Sequence, residues 1–296
     1  HPLVYDRDSD TLRPVAWEQA FARIGEILRG LQPDEVEFYT SGRASNEAAW
    51  LFQLFAREYG TNNFPDCSNM CHESTSVGLP QSIGIGKGTV SLDDFDQTEL
   101  VISIGHNPGT NHPRMMGTLH ELSRRGVPII VFNPLRERAL ERFADPQNVM
   151  EMATRRSTPI ASTYYQVRAG GDAAALKGIA KALLQLEEEQ GNVLDHAFIA
   201  QHTQGFTAFA DDLHATRWQD IEQESGLTRE SLTQVAAAYA KSRATIVTYG
   251  MGITQHNKGT SNVRLIADLL LMRGNIGKPG AGICPLRGHS NVQGNR

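Results

Sequence analysis

Apolar residues recur at helical spacing in some segments of the chain and form short continuous runs in others. Downstream of Trp17, the apolar residues on one helical face are Ala20, Phe21, Ile24, Ile27, Leu28 and Leu31. This spacing is typical of an amphipathic helix. A second helix is predicted at 45–59, and the apolar run at 36–39 predicts a short strand between the two helices. The turn-rich residues 60–66 then mark a boundary.

From residue 100 onward, the pattern alternates between apolar runs of strand length and longer segments with helical periodicity. Strands are predicted at 100–104, 128–132, 164–168 and 245–249. Helices are predicted at 113–125, 173–189, 231–241 and 260–272. The helix at 231–241 ends a longer stretch, 193–241, that is predicted to be largely helical. This alternation predicts an α/β fold with a parallel sheet that has helices on both faces.

Ligands of parallel α/β sheets lie beyond the carboxyl ends of the strands, and here those ends carry glycine-rich or polar loops. The loops are Gly105-His106-Asn107, Asn133-Pro134-Leu135-Arg136, Gly170-Gly171-Asp172 and Gly250-Met251-Gly252. Glycine lets a ligand approach the backbone, and helix N-termini bind phosphate. None of the loops is a G-x-G-x-x-G fingerprint or a Walker A loop, so we expect a long phosphate-bearing ligand other than NAD or ATP.

The composition restricts the partners and the cellular setting. The chain has 296 residues and a net charge of −5, so nucleic acid and anionic membranes are not expected as partners. No apolar run approaches the roughly 18 residues of a membrane span. Three cysteines do not form a disulfide framework, so we expect a cytoplasmic setting. Because the chain starts at His1 without Met and ends just after its richest motif, we expect it to be a piece of a longer protein.

Three residues combine a thiol, an imidazole and a fixed cation. Cys71 precedes a segment that starts a helix near Ser76, which favours a thiolate and a redox metal; the alternative is a buried structural cysteine. His72 suits a proton acceptor, or it is a hydrogen-bonded histidine without a catalytic role. Arg287 suits bidentate binding of a carboxylate, or it is a surface arginine in an ion pair.

Other positions are open to a structural as well as a binding interpretation. Asp172 either accepts hydrogen bonds from a guanine ring or ribose, or caps the helix that follows it. Gln255 and His256 either line the ligand or belong to a polar loop. Cys67 lies four residues before Cys71, which is not the spacing of a C-x-x-C metal pair.

The order of these motifs resembles that of the molybdopterin oxidoreductases, and most of all their formate-dehydrogenase-like alpha subunits. The motifs are Cys-His at 71–72, Gly-His-Asn-Pro-Gly-Thr-Asn-His at 105–112, Gly-Met-Gly-Ile-Thr-Gln-His at 250–256, Gly-Asn-Ile-Gly-Lys-Pro-Gly-Ala-Gly at 274–282 and Leu-Arg-Gly-His-Ser-Asn-Val-Gln-Gly at 286–294. The resemblance covers almost the whole chain and implies Rossmann-like domains of the formate dehydrogenase and DMSO reductase type. It assigns residues 1–66 to the N-terminal part of the family's second α/β domain. It assigns residues 67–296 to the third domain, which in this family carries the metal-ligand cysteine and one pterin guanine dinucleotide site.

The resemblance also implies a cofactor and the residues that bind it. Molybdenum or tungsten is held by two molybdopterin guanine dinucleotides, with Cys71 as the protein's metal ligand. His72 matches the histidine that follows this ligand in formate dehydrogenases, and Arg287 matches the arginine that orients the substrate carboxylate. The family's cofactor-binding positions fall on Gly105, His106, Asn107, Asn133, Arg136, Asp172, Met251 and Gln255. The family's 4Fe-4S cluster belongs to an N-terminal region outside this chain.

The expected function is that of a fragment of a catalytic subunit. The subunit would oxidise formate or a similar small anion by two electrons at a Mo-bis-molybdopterin guanine dinucleotide centre. The remaining domains of the same protein are the expected partners, and the fragment alone is expected to be inactive. Glu73-Ser74 stands where formate dehydrogenases have Gly-Pro, and reduction of nitrate or of an N- or S-oxide is an alternative. Two others are a nucleotide-binding module without metal, and a metal-free enzyme with Cys71 as nucleophile and His72 as base.

Overall fold

Two compact units divide the chain: the first comprises residues 1–69 and those from 289 onward, and the second comprises residues 70–288. The computed structural model describes residues 1–292 and 294, and for Ser68 and Asn69 it describes the backbone alone. Gln293, which belongs to the motif around Arg287, lies outside the described residues. The assignment of 1–66 and 67–296 to two domains of a family stays a prediction.

The first unit contains a hairpin and two amphipathic helices. Its elements are the strands β1 (Leu3–Asp6) and β2 (Thr11–Pro14) and the helices α1 (Trp17–Arg29) and α2 (Asn46–Tyr59). Both predicted helices are confirmed. Helix α2 begins where the Ser45 hydroxyl accepts the N–H of Ala48, and it ends at Gly60 in the left-handed conformation. These are the usual start and stop signals of a helix.

The strand predicted at 36–39 is wrong. Phe38 donates its N–H to the Asn63 carbonyl at 3.0 Å, but 36–39 forms no strand in the described part of the chain. The apolar run has a different cause, because Phe38 is a core residue of the first unit. The aromatic rings packed against it are those of Phe52, Phe55 and Tyr59.

A five-stranded parallel sheet forms the centre of the second unit. The strands of this unit are β3 (Leu100–Ile104), β4 (Ile129–Phe132), β5 (Arg142–Phe143), β6 (Thr158–Pro159), β7 (Thr163–Tyr165), β8 (Thr245–Tyr249) and β9 (Gly282–Pro285). The sheet has the order β7-β4-β3-β8-β9 with every neighbouring pair parallel. β5 and β6 pair antiparallel with each other. The predicted parallel α/β sheet is therefore confirmed.

The remaining helices include those predicted at 113–125, 173–189, 231–241 and 260–272, each confirmed to within two residues, and several short helices for which there is no prediction. They are α3 (Cys67–Cys71), α4 (Glu73–Ile83), α5 (Asp94–Gln97), α6 (Pro108–Asn111), α7 (Pro113–Arg124), α8 (Arg138–Glu141), α9 (Val149–Thr154), α10 (Asp172–Gln190), α11 (His196–His202), α12 (Phe206–Ala215), α13 (Trp218–Ser225), α14 (Arg229–Lys241), α15 (Met251–Thr254) and α16 (Gly259–Leu271). Within the described residues, none of the helices combines the length and the apolar character that a membrane crossing requires.

Successive residues of the central strand β3 face opposite sides of the sheet, and both sides are covered by helices. Ile102 and Ile104 belong to one core cluster with apolar residues of α10, α14 and α16. Val101 belongs to a second cluster with apolar residues of α7. All five residues of β3 are buried, which is why its sequence is a continuous apolar run without alternation.

The strand order places a switch point at the carboxyl edge between β3 and β8. The chain passes from β3 to β4 on one side and on to β7. It then returns to place β8 on the other side of β3. Doubly wound sheets bind ligands beyond the carboxyl ends of the strands at such a switch point.

Strand β9 is absent from the sequence-based prediction, because the proline and glycines at 277–282 favour a turn. The turn is present before the strand, and β9 begins at Gly282 beside β8. Its outer edge is covered by Thr89, whose N–H donates to the Ile283 carbonyl at 2.9 Å. The Thr89 hydroxyl accepts the Ile283 N–H at 3.0 Å. These two bonds satisfy an edge that the sheet itself leaves open.

Candidate functional site

A cavity of about 210 Å³ lies at the carboxyl edge of the sheet, at the switch point between β3 and β8. Loops after β3, β4, β8 and β9 form its walls. The described residues that line it are Gly105, His106, Asn107, Asn111, His112, Asn133, Glu137, Gly250, Met251, Gly252, Leu286 and Gly288. Because ligand pockets usually hold roughly 300–1,000 Å³, this cavity would accommodate one part of a long ligand.

Gly105 and Gly252 bring the loops after β3 and β8 into backbone contact. The Gly252 N–H donates to the Gly105 carbonyl at 3.1 Å. A Cβ on Gly105, which has φ +58°, would lie 3.0 Å from the Gly252 Cα. The sequence pattern predicts that these glycines admit a ligand to the backbone. In the structure they are required for the packing of one loop against the other.

His106 and His112 form a pair in the wall of the cavity. His106 Nε2 lies 2.9 Å from His112 Nδ1, so the two rings share one N–H. The outer nitrogens, His106 Nδ1 and His112 Nε2, are buried and have no hydrogen-bond partner among the described residues. Burial, reinforced by His112, lowers the pKa of His106 to about 3. When both rings are neutral, the shared N–H leaves one outer donor and one outer acceptor, which suits a polar, uncharged part of a ligand.

Asn107, Asn133 and Glu137 hold the loops after β3 and β4 together. The Asn133 side chain donates to the His106 carbonyl at 3.0 Å. The Asn107 amide donates to the Glu137 carboxylate at 2.6 Å, while its oxygen accepts the Thr110 N–H and starts α6. The two loops are thereby fixed in place before any ligand is bound.

Cys71 lies beside this cavity. It is the last residue of α3 and directly precedes His72, the N-cap of α4. Its half-buried Sγ is 3.4 Å from the Sδ of Met251, a residue of the cavity wall. The Thr254 hydroxyl donates to the Cys71 carbonyl at 2.6 Å, which anchors the backbone there. The predicted metal-ligand cysteine therefore lies against the wall of the cavity.

His72 is fully buried, and both of its ring nitrogens have partners. Nε2 lies 2.8 Å from the Leu286 carbonyl, and Nδ1 lies 3.1 Å from the Thr75 hydroxyl. Burial lowers the pKa of His72 to about 4; the hydrogen bond to Leu286 opposes this shift, and the charge of Arg287 adds to it. The ring is thus neutral near pH 7. Its predicted role as proton acceptor stays a prediction.

Arg287 belongs to the loop after β9, between two residues that line the cavity. Leu286 and Gly288 face the cavity, and the half-buried Arg287 donates from Nη2 to the Gly86 carbonyl at 3.1 Å. The preceding residue, Leu286, has its carbonyl 2.8 Å from His72 Nε2, and the charge of the Arg287 guanidinium lowers the pKa of His72. Cys71, His72 and Arg287 are therefore neighbours in the second unit.

Three of the residues predicted to bind the cofactor do not line this cavity. Arg136 pairs with Glu141 at 2.5 Å. Gln255 donates to the Met70 carbonyl at 2.9 Å. Asp172 is the first residue of α10, which Gly171 precedes as N-cap, so Asp172 is not the cap itself. Their cofactor contacts stay predictions.

Asp172 is nevertheless poised as an acceptor beyond the end of β7. The residue is 6% exposed, and its Oδ2 lies 3.7 Å from His256 Nε2. Burial raises the pKa of its carboxyl, while a backbone hydrogen bond and His256 act in the opposite direction. An acceptor so little hydrated suits a ligand group that presents N–H donors.

Sequence reasoning did not select His112 or Glu137 as site residues. His112 closes the loop after β3, six residues beyond His106, and Glu137 follows Asn133 by four residues in the loop after β4. Their place in the same two loops was the only available signal. The pairing of His112 with His106 and of Glu137 with Asn107 depends on the fold.

A family model described as molybdopterin oxidoreductase matches residues 1–296. The chain belongs to the molybdopterin oxidoreductase family. The resemblance inferred from the motifs is confirmed. Family membership implies a pterin cofactor that carries molybdenum or tungsten.

Two curated relatives illustrate the range of the family. Protein YdeP of Escherichia coli (strain K12) is 58% identical over 301 residues, which cover 100% of this chain and 40% of the relative. Formate dehydrogenase H of the same organism is 30% identical over 299 residues, which cover 99% of this chain and 39% of the relative. The chain thus spans about two fifths of the length of these relatives.

A solved structure supports the fold. Acetylene hydratase from Pelobacter acetylenicus superimposes with a TM-score of 0.70 at 18% sequence identity. The match covers 92% of this chain and 34% of the hydratase. At this level of identity the likeness concerns the fold alone.

The cavity fits part of a pterin cofactor. It offers the unpartnered nitrogens of His106 and His112, together with asparagine side chains and a rim of close-packed glycines. A fused heterocycle with N–H and C=O groups on its edge needs such neutral donors and acceptors. The donor set of the cavity is therefore compatible with the group that the family implies.

Proposed function

We propose that this chain carries the protein's metal ligand and one pterin guanine dinucleotide site of a molybdenum- or tungsten-dependent oxidoreductase. The full-length protein would oxidise formate or a similar small anion by two electrons. The observation that carries the proposal is the position of Cys71, whose sulfur lies 3.4 Å from Met251 in the cavity wall. A thiolate in this position can reach a metal that a ligand of the cavity carries.

One pterin dinucleotide would be held in the cavity by the loops after β3, β4 and β8. The residues concerned are Gly105, His106, Asn107, Asn133 and Met251. When bound, the cofactor supplies the two-electron redox chemistry, and the protein positions and tunes it. His106 and His112 would contribute hydrogen-bonding nitrogens.

Asp172 is proposed to bind the guanine end of the same cofactor. It follows β7, which lies two strands from β3 in the same sheet. A dinucleotide is long enough to extend from the switch point along the sheet edge, and a buried carboxylate suits the N–H groups of guanine. Arg136 and Gln255 remain proposed contacts of this cofactor.

Arg287 is proposed to bind the carboxylate of the substrate. Two observations support this role: its neighbours Leu286 and Gly288 line the cavity, and it lies close to His72. The name of formate dehydrogenase H, at 30% identity, supports formate as the first substrate to test. A fixed guanidinium binds a carboxylate with charge-assisted hydrogen bonds.

We expect Arg287→Ala in the full-length protein to raise the KM for formate by roughly 10- to 100-fold, because charged hydrogen bonds contribute about 1.5–3 kcal/mol. Arg287→Lys is the matched control. It keeps the charge but loses the planar guanidinium, so its KM should lie between that of the unchanged protein and that of Arg287→Ala. Steady-state kinetics measure this. An unchanged KM in Arg287→Ala would remove Arg287 from substrate binding.

A substrate panel tests the choice of reaction. The metal-loaded full-length protein is assayed for oxidation of formate and for reduction of nitrate and of N- and S-oxides. We expect turnover with formate or a related small carboxylate. Turnover with an oxide alone would reject the formate proposal while keeping the metal centre.

A further inference from the structure

A chain of buried hydrogen bonds lies behind Cys71 and links three elements of the second unit. The Tyr249 hydroxyl is 2.8 Å from the Thr75 hydroxyl, which is 3.1 Å from His72 Nδ1. His72 Nε2 is 2.8 Å from the Leu286 carbonyl. Tyr249, Thr75 and His72 are each 0% exposed. The chain thus runs from the end of β8, through the first turn of α4, to the loop after β9.

The direction of these hydrogen bonds follows from counting donors and acceptors. A carbonyl oxygen only accepts, so the Leu286 bond requires a hydrogen on His72 Nε2. In the neutral ring Nδ1 then accepts the Thr75 hydroxyl, whose oxygen accepts the Tyr249 hydroxyl. Every group is satisfied in this arrangement.

The opposite direction leaves a buried group unsatisfied. If Nδ1 carried a hydrogen as well, it would donate to Thr75, and Thr75 would donate to Tyr249. The Tyr249 hydroxyl hydrogen would then have no acceptor, because Thr75 is its only hydrogen-bond partner among the described residues. Burying an unmatched hydroxyl is costly, so the network holds one arrangement of hydrogens.

We propose that His72 is a positioning residue and not the proton acceptor of the reaction. Its Nε2–H fixes the Leu286 carbonyl, and with it the backbone that carries Arg287 beside the cavity. Thr75 and Tyr249 keep the ring in the required tautomer. A proton acceptor needs a bare nitrogen that faces the substrate, whereas the bare Nδ1 of His72 already accepts the Thr75 hydroxyl.

This inference rests on the proposed function, since it concerns the binding of the same small anion. It differs from the role that the resemblance implies for His72. It also assigns a role to Thr75 and Tyr249, which hold the His72 ring in one tautomer. These two residues are 174 residues apart in the sequence, and both are fully buried. Neither is needed for a histidine that acts on substrate from a solvated position.

The kinetic test uses the metal-loaded full-length protein and compares His72→Gln with His72→Ala. Glutamine keeps an N–H donor at the position of Nε2 but has no imidazole to take a proton. We expect His72→Gln to retain kcat within about 10-fold of the unchanged protein and to keep its KM. We expect His72→Ala to raise KM at least as much as it lowers kcat. A loss of general-base catalysis would instead lower kcat by roughly 10²–10⁴-fold in both variants, and that result would overturn the proposal.

A second measurement needs no turnover, so it separates this inference from the proposed function. Diethylpyrocarbonate modifies accessible neutral imidazoles, and tryptic peptide 58–87 contains His72 as its only histidine. We expect His72 to stay unmodified in the folded full-length protein and to react after unfolding. His196, whose side chain is 61% exposed, is the positive control. Modification of His72 in the folded protein overturns the positioning role even if formate is oxidised. If His72 is protected but the protein does not oxidise formate, the positioning role of His72 stands and formate is rejected as the substrate.

Discussion

His72 and His106 are two histidines that the fold keeps buried and neutral near the proposed metal site. They are 0% and 4% exposed, and burial lowers the pKa of His72 to about 4 and that of His106 to about 3. In the unfolded chain a histidine has a pKa of about 6.5. Between these values the unfolded state binds more protons than the folded state. The two neutral histidines therefore contribute fully to the free energy of unfolding above pH 6.5. This contribution is lost as the pH falls from 6.5 towards the pKa values of the folded state.

We expect the stability of the full-length protein to fall between pH 6.5 and pH 5, with about 2 kcal/mol from each of these histidines. Thermal unfolding at the two pH values measures this. His106→Gln removes one titrating group, so it should reduce the pH dependence by about that amount. The same exchange at His202, on the surface, controls for the substitution itself. An identical pH dependence in His106→Gln and the unchanged protein would contradict the assignment of a buried neutral His106.

At the scale of elements, the edge strand β9 carries the loop with Leu286 and Arg287 to the cavity. Thr89 covers the outer edge of this strand through two hydrogen bonds with Ile283. The strand therefore depends on a side-chain hydroxyl for one of its backbone bonds.

We expect Thr89→Val to destabilise the protein by about 1–3 kcal/mol, because it leaves the buried Ile283 N–H without an acceptor. Valine has nearly the shape of threonine, so the change isolates the hydroxyl. Thr89→Ser keeps the hydroxyl and is the matched control. Amide hydrogen exchange at Ile283 is the direct measurement. Equal protection in Thr89→Val and Thr89→Ser would contradict the role of this bond.

The sequence pattern predicted the elements whose burial is continuous and local. Strands β3 and β8 are runs of five buried residues, and the glycine after each run marks its end. Strand β9 was not predictable, because its start at Gly282 and its end at Pro285 look like parts of a turn. The prediction of a strand at 36–39 is wrong because a single buried aromatic residue, Phe38, gives the same sequence signal in a strand and in a packed loop.

The candidate site was predictable only in part. Cys71, Arg287 and the loop at 105–107 follow from motifs, since each motif is contiguous in the sequence. The partners that fix them do not, because Thr75 and Tyr249 meet across 174 residues. No local pattern reports such a contact. The sequence therefore indicated the reactive groups, and only the fold showed which nitrogens of His72 are already engaged.

At the scale of the whole molecule, the chain matches 40% of the length of Protein YdeP and 39% of the length of formate dehydrogenase H. Within the described residues it contributes a cysteine and a polar cavity at one sheet edge. The proposed activity accordingly belongs to the full-length protein. Metal analysis and pterin fluorescence of that protein separate an oxidoreductase from a nucleotide-binding module without metal.

The most direct test of the account is the turnover of the metal-loaded full-length protein when the Cys71 sulfur is removed. We expect Cys71→Ala to abolish turnover, because the metal loses its only proposed protein ligand. Cys284→Ala, which removes a thiol from β9, is the control and should keep its activity. Full turnover in Cys71→Ala, with molybdenum or tungsten still bound, would contradict the central claim.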